Sequence, residues 1–443
     1  MNRLSHPTRL RFLPLVLAIG WGAGAQAQSL LDLYQSARGY DATYQSAKAQ
    51  FDATLAKVDQ AKALLLPKAS MDLSSSRTNY ESAAAAIDRV FGTQSATLSA
   101  TQPLFRPADW ATYAQGIKGA ETASSALKAA EQDLIVRLSQ AYFDVLASSD
   151  SLQFVKAQKT AVQEQLASAK RNFEVGTATI TDTREAQARY DLVLAQEIAA
   201  DNDLRVKNLA LNQLVGGTEV KPKSVAAPVV LNAVSPDDVN VWVSQSQMEN
   251  QGLLQLQVAF EIAKLETKKA QAGHLPTLDL VGKYIATDNN GSATSTANSG
   301  SNTTTIGLAL NLPIFAGFST QNRIRETVAL ETKARTDLEG SQRTVAQATR
   351  AAFYGVQSGL GQVKALEAAE VSSQSALDAN KLGYQVGVRI NIDVLNSQSQ
   401  LFDTKAKLAK ARYDVLVGGL KLRQASGSLK VEDLEQVNAL LAK

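Results

Sequence analysis

The chain has 443 residues, with 45 Lys+Arg against 42 Asp+Glu, 45% hydrophobic residues, 6% aromatic residues, no Cys and two His. So few aromatics over such a length favour a long or repetitive architecture over several compact cores. The lack of Cys excludes disulfides, thiolate metal sites, a Cys nucleophile and an acylated N-terminal Cys, and with His only at positions 6 and 274 a His triad or His-cluster metal site is nearly excluded too.

Residues 1–27 read as a secretory signal: Arg3, Arg9 and Arg11 precede an apolar run from Phe12 to Ile19, and Ala25-Gln26-Ala27 is a small-x-small cleavage site. Its removal takes three Arg and no acid, so the formal charge falls from +3 to 0. The basic character therefore belongs to the signal, and no nucleic-acid partner is expected. No later stretch approaches eighteen apolar residues, which leaves a periplasmic, secreted or outer-membrane β-barrel protein.

Residues 28–216 form the first of two repeats. A helix of about 29–64 leads to a β-hairpin at 65–105, where Ala69, Met71 and Leu73 alternate with Ser70, Asp72 and Ser74, and Ala96, Leu98 and Ala100 with Thr97, Ser99 and Thr101. The loop is placed at residues 82–93. A long helix follows at 108–175, with a 3-4 spacing in which fifteen of nineteen seam positions from Trp110 to Phe173 are apolar. At about 1.5 Å per residue it is a rod on the order of 100 Å long. A shorter helix at 182–215 ends the repeat.

Residues 217–244, with Pro222, Pro228 and Pro236, link the repeats. The second repeat spans 245–427: a helix to about 273, a hairpin at 275–315, a long helix at 318–385 with a weaker seam, and a helix at 393–424. Leu278, Leu280 and Tyr284 oppose Asp279 and Lys283 in one strand, and Ile306, Leu308 and Leu310 oppose Gly307, Ala309 and Asn311 in the next. The tract at 288–303 is a Gly/Ser/Thr/Asn loop. Pro67, Pro103, Pro276 and Pro313 flank the hairpins, where a residue without an N–H suits a fixed changeover between helix and strand. Residues 428–443 are a C-terminal tail.

The duplication is explicit in the residues. Phe173-Glu-Val-Gly176 recurs as Tyr384-Gln-Val-Gly387, Asp182 as Asp393, Gln187 as Gln398 and Gly216 as Gly427, all at an offset of 211. The strands have the period and length of tilted membrane strands, although a soluble two-layer sheet with one wet face has the same alternation. Four strands per chain cannot close a barrel of at least about eight, so a barrel demands oligomerisation, and three copies supply twelve strands.

At the residues Tyr384-Gln-Val-Gly-Val-Arg389-Ile-Asn-Ile-Asp393-Val-Leu, with Gln398 and Leu401 following, and across nearly the whole mature chain, the sequence resembles the TolC family of outer-membrane efflux and type I secretion channels. The resemblance implies a mainly α fold with membrane β: a homotrimer whose twelve-stranded β-barrel stands in the outer-membrane lipid of a Gram-negative bacterium on a periplasmic helical tunnel, with residues 217–244 at its equator. It also implies a periplasmic adaptor and an inner-membrane pump, either an ABC transporter or a proton-driven one.

That resemblance implies a periplasmic gate at Thr181 and Asp182 on one side and Tyr384 and Arg389 on the other, with tip turns at Gly176 and Gly387. It implies a lumenal charge ring at Asp393, weakened because Asn396 stands where some members have a second acid. Beside this, Asp182-x-x-Glu185 reads as a capping box, a role that accounts for the carboxylate with or without a gate. Tyr384 reads equally as a seam residue and Arg389 as a solvated loop charge.

No Walker A, G-x-S-x-G or H-E-x-x-H motif occurs, no cofactor is called for, and the carboxylates lie among Lys and Arg on helices. The expectation is a non-enzymatic passive exit duct, leaning toward type I protein secretion, with small-molecule efflux as the alternative cargo. A periplasmic adaptor and a trimeric adhesin are the rivals of other classes.

Overall fold

A computed structural model describes residues 28–442 except 83–86, 218–219, 227, 228 and 230. The expected signal at 1–27 and Pro228 lie outside the described residues. The two repeats have the same element order. Helices α1 (Leu30–Tyr40) and α2 (Ala42–Lys62) lead through a 3₁₀ turn to strands β1 (Lys68–Ser82) and β2 (Ile87–Phe105), then to α3 (Pro107–Glu174) and α4 (Ile180–Val215). Helices α5 (Val239–Glu249) and α6 (Gln251–Gln271), a second 3₁₀ turn, strands β3 (Thr277–Asn289) and β4 (Ser299–Asn311), and helices α7 (Ser319–Gln385) and α8 (Asn391–Ser426) repeat the series, and α9 (Val431–Asn438) closes the chain.

The first helix of each repeat is broken, where an unbroken one is expected from sequence. Asp41 ends α1 and caps α2 by accepting from the Tyr44 N–H at 2.8 Å, and Asn250 does the same between α5 and α6 for Leu253 at 3.1 Å. A short side-chain acceptor substitutes for the helical carbonyl at each break and lets the chain change direction. Stacked end to end, α1 and α2 lie along α3. The expected seam of α3 is buried through its middle, at Leu134, Leu138, Val145 and Leu152, but Trp110, Ile117 and Phe173 are exposed. Those positions have no covering element among the described residues of one chain.

The hydrophobic core sits at mid-height. Leu30, Leu33, Leu134, Leu138, Tyr142, Phe143 and Leu211 cluster with Val417, Leu420 and Leu434, so α1, α3, α4, α8 and α9 share one core. The C-terminal tail is thus a packed element, held further by Leu441 bridging to Val225. Tyr142 donates to the Lys223 carbonyl at 2.8 Å, and Gln132 donates to the carbonyls of Gly427 and Leu429, both at 3.0 Å. A second cluster around Trp242, Phe353, Val356 and Leu408 belongs to the other repeat.

The sheet is antiparallel with order β1-β2-β3-β4, and β1 and β4 are its open edges. The strands run further than expected: residues 87–93 are strand, as are 288–289 and 299–303, where loops are expected. Threonine and serine there continue the main-chain ladder, for example Thr287 opposite Ser301. In the other direction β4 stops at Asn311, so Leu312 and Ile314 lie beyond it. Pro103 sits inside β2 at a register shift against β3, the kind of place a residue without an N–H tolerates. Leu66 and Leu275, each before a proline, are extended and begin the strands after Pro67 and Pro276. Pro313 lies between β4 and α7.

Candidate functional site

The register decides what the sheet faces. Met71 lies opposite Leu98, Leu98 opposite Tyr284, Leu280 opposite Leu308 and Leu278 opposite Leu310, and directly opposed residues share a face. Ala69, Met71, Leu73, Leu98, Leu280, Ile306, Leu308 and Leu310 therefore form one apolar face across all four strands. It is bare, with Leu73 72% and Ile306 77% exposed. Ser70, Asp72, Thr97, Ser99, Asp279 and Lys283 occupy the other. A soluble sandwich would cover such a face with a second layer, whereas lipid needs no cover. No helix among the described residues is long and apolar enough to cross a membrane.

The far ends of the long helices form two matching turns. Gly176 and Gly387 take left-handed conformations at φ 80° and 78°. The Thr177 N–H donates to the Asn172 carbonyl at 2.8 Å, and the Val388 N–H to the Gly383 carbonyl at 2.9 Å, closing each helix in a Schellman motif. Only glycine enters that conformation without strain, which accounts for its recurrence 211 residues apart.

One expected reading is corrected, and the other expected site residues sit as follows within one chain. The capping box is Thr179–Asp182, one turn earlier than Asp182–Glu185, because Thr179 is extended and the helix begins at Ile180: the Thr179 N–H donates to Asp182 Oδ2 at 2.9 Å and the Asp182 N–H to Thr179 Oγ1 at 3.3 Å. Arg389 does not reach Asp182; its Nη1 lies 3.6 Å from Asp393 Oδ2, and both groups are partly exposed. Asn396 accepts from Arg189 Nη2 at 2.7 Å, so its amide oxygen ties α8 to α4. Tyr384 is half-buried and accepts from Asn172 Nδ2 at 3.2 Å, while Thr181 is exposed at the start of α4. An added Cβ at Gly383 would come within 2.6 Å of Arg389 Cγ, so the bare backbone there is what lets the arginine stem lie against α7.

The residues that sequence reasoning missed are amides. Asn172, Gln165 and Asn391 join the α3/α4 hairpin to the α7/α8 hairpin near the tip, since Gln165 Nε2 donates to Asn391 Oδ1. One signal was available: position 172 in the first repeat is position 383 in the second, an asparagine against a glycine beside the expected gate tyrosine. Higher up, Tyr413 on α8 donates to Asp150 on α3 at 2.6 Å, and burial holds the Asp150 carboxyl above the usual carboxylate range. Among the described residues no group of His, Asp and Glu is placed to hold a metal ion.

Residues 33–217 and 242–428, one segment in each repeat, match the family described as outer membrane efflux protein. The chain belongs to the outer membrane efflux protein family. It is 32% identical to the outer membrane protein TolC of Vibrio cholerae, over 97% of this chain and 98% of that one. It is 30% identical to the alkaline protease secretion protein AprF of Pseudomonas aeruginosa, over 94% of this chain and 88% of that one. The solved structure of the outer membrane protein VceC from Vibrio cholerae, 18% identical, superposes with a TM-score of 0.77 over 90% of this chain and 96% of that one, and shares its fold. The bare sheet is thus the barrel wall of an outer-membrane efflux family channel of a Gram-negative bacterium, and the helices are its periplasmic extension. Membership favours neither the adaptor nor the adhesin reading.

Proposed function

We propose that this outer membrane efflux family protein is the exit duct of a tripartite export system, and that its cargo is protein secreted by the type I route. Three copies pair β4 of one with β1 of the next, closing twelve strands into one barrel over a tunnel of helices. The observation that carries this reading is the open four-stranded sheet with two unpaired edges and one bare apolar face, a shape that is stable only when copies close it in lipid. The likeness to a protease secretion protein supports the cargo assignment.

The duct does no chemistry. A periplasmic adaptor docks it to an inner-membrane ABC transporter, which supplies the energy, and the tips at Gly176 and Gly387 move apart to open it. Thr181, Asp182, Tyr384 and Arg389 hold the closed tip, with Asp182 and Arg389 meeting between neighbouring copies because they do not meet within one.

Planar-bilayer recording tests the gate. Arg389→Ser combined with Tyr384→Phe is expected to raise single-channel conductance several-fold in correctly assembled trimers. An unchanged small conductance returns both residues to surface roles. Deleting the gene is expected to abolish export of one or more secreted proteins; a strain that keeps its secreted proteins but becomes sensitive to drugs moves the cargo to small molecules.

A further inference from the structure

Asn391 is the first residue of α8 and is wholly buried, with 0% of its surface exposed. Its counterpart 211 positions earlier is Ile180, the first residue of α4, which is 48% exposed. The duplicated halves have exchanged the ordinary preference: the amide is inside and the branched aliphatic residue is outside.

A buried amide destabilises unless it is bonded. Asn391 Oδ1 accepts from Gln165 on α3, and Nδ2 faces the Asp182 carbonyl on α4 at 3.5 Å. One side chain of the second repeat therefore ties down both helices of the first. One heptad along α8, Gln398 is buried at 4% exposure, and its Oε1 has no hydrogen-bond partner among the described residues. Between them Leu395, fully buried, packs against Val162, Leu166 and Val193 of the α3/α4 hairpin, so the seam runs amide, leucine, amide. A polar residue at a coiled-coil core position selects one register and weakens the association. Once the hairpins part, water satisfies both amides, so this seam separates at less cost than one made of leucine throughout.

We propose that Asn391, paired with Gln165, is a positioning residue of the gate: it sets the register of the α7/α8 hairpin against the α3/α4 hairpin in the closed tip and allows the two to separate reversibly. The proposal rests on the reading of the tip as the gate. It concerns a bond inside one chain, independent of the Arg389 and Asp182 contacts between copies.

The test is the open fraction of purified trimers in planar lipid bilayers, measured beside the Arg389→Ser, Tyr384→Phe double variant. Gln165→Met keeps the side-chain length, loses the donor, and leaves Asn391 Oδ1 unpaired only in the closed state. It is expected to raise the open fraction about tenfold or more. Asn391→Leu is expected to lower it below wild type and to raise the melting temperature, and Gln165→Met added to Asn391→Leu is expected to have no further effect. If the Arg389, Tyr384 double variant opens while Gln165→Met and Asn391→Leu behave as wild type, the latch is overturned and the gate stands. If the double variant also stays closed, the gate reading falls and the latch with it. Should Asn391→Leu fail to assemble, Gln165→Met alone decides, and an unchanged open fraction overturns the proposal.

Discussion

Arg106 grips Asp279 across the boundary between helix and sheet: Nε and Nη2 each donate to a different carboxylate oxygen at 2.7 Å. Arg106 precedes α3 in the first repeat, and Asp279 lies on the polar face of β3 in the second, 173 residues later. The bidentate geometry fixes the angle at which the tunnel wall meets the barrel, where hydrogen bonds of the sheet have ended and those of the helix have just begun.

Because both groups are partly exposed, at 35% and 15%, Arg106→Ala is expected to cost about 1 to 3 kcal/mol, short of the loss seen for a fully buried pair. Asp279→Asn keeps one acceptor and should cost less. The thermal midpoint of trimer dissociation in detergent measures both, and equal midpoints for all three proteins would show that the clamp contributes nothing.

The lipid-facing assignment is tested at Leu308, which is 67% exposed and opposite Leu280. Leu308→Arg is expected to destabilise the membrane-inserted protein by about 2 to 4 kcal/mol if it stands near the midplane. Thr305→Arg, on the polar face of the same strand, should cost much less. Equal yields of folded trimer from the two variants would reverse the faces.

Leu138 is fully buried in the mid-height core with Tyr142 and Leu434. Leu138→Ala is expected to cost about 2 to 5 kcal/mol, the transfer loss plus the cavity left between helices that cannot collapse independently. Protease resistance equal to wild type at elevated temperature would contradict the packing.

Asp41 adds a pH dependence. The Arg137 guanidinium, 3.0 Å away, and the Tyr44 N–H hold its carboxyl below the usual carboxylate range. A depressed native pKa contributes stability above the unfolded value of about 3.9 and loses it as the pH falls through the native one. Arg137→Ala is expected to cost about 2 to 3 kcal/mol near neutrality, less than a fully buried pair because Arg137 is 32% exposed. The gap from wild type should shrink below about pH 4, as the carboxyl protonates in both proteins. Melting curves at pH 7 and pH 3.5 check it, and a gap that does not narrow would assign the loss to packing.

Asp393→Asn removes the carboxylate beside Arg389, leaving the tip more positive. Weaker cation preference and weaker block by multivalent cations are expected, since charge in a narrow pore acts through a low effective dielectric. Identical reversal potentials would leave Asp393 only a favourable place in the first turn of α8.

By itself the sequence determined the duplication, the element order, the alternation of the strands and both tip glycines. These follow from local rules: a period of two or of 3.6, a left-handed turn that only glycine enters freely, and an offset of 211 that repeats them. Tertiary structure alone decided which side chains meet. Arg389 beside Asp393 is still a local pairing, four residues apart, but nothing local tells that Asn172 holds Tyr384 or that Asn391 is buried while Ile180 is not. Those choices depend on how two hairpins separated by more than two hundred residues rotate against each other, which a period of 3.6 does not fix.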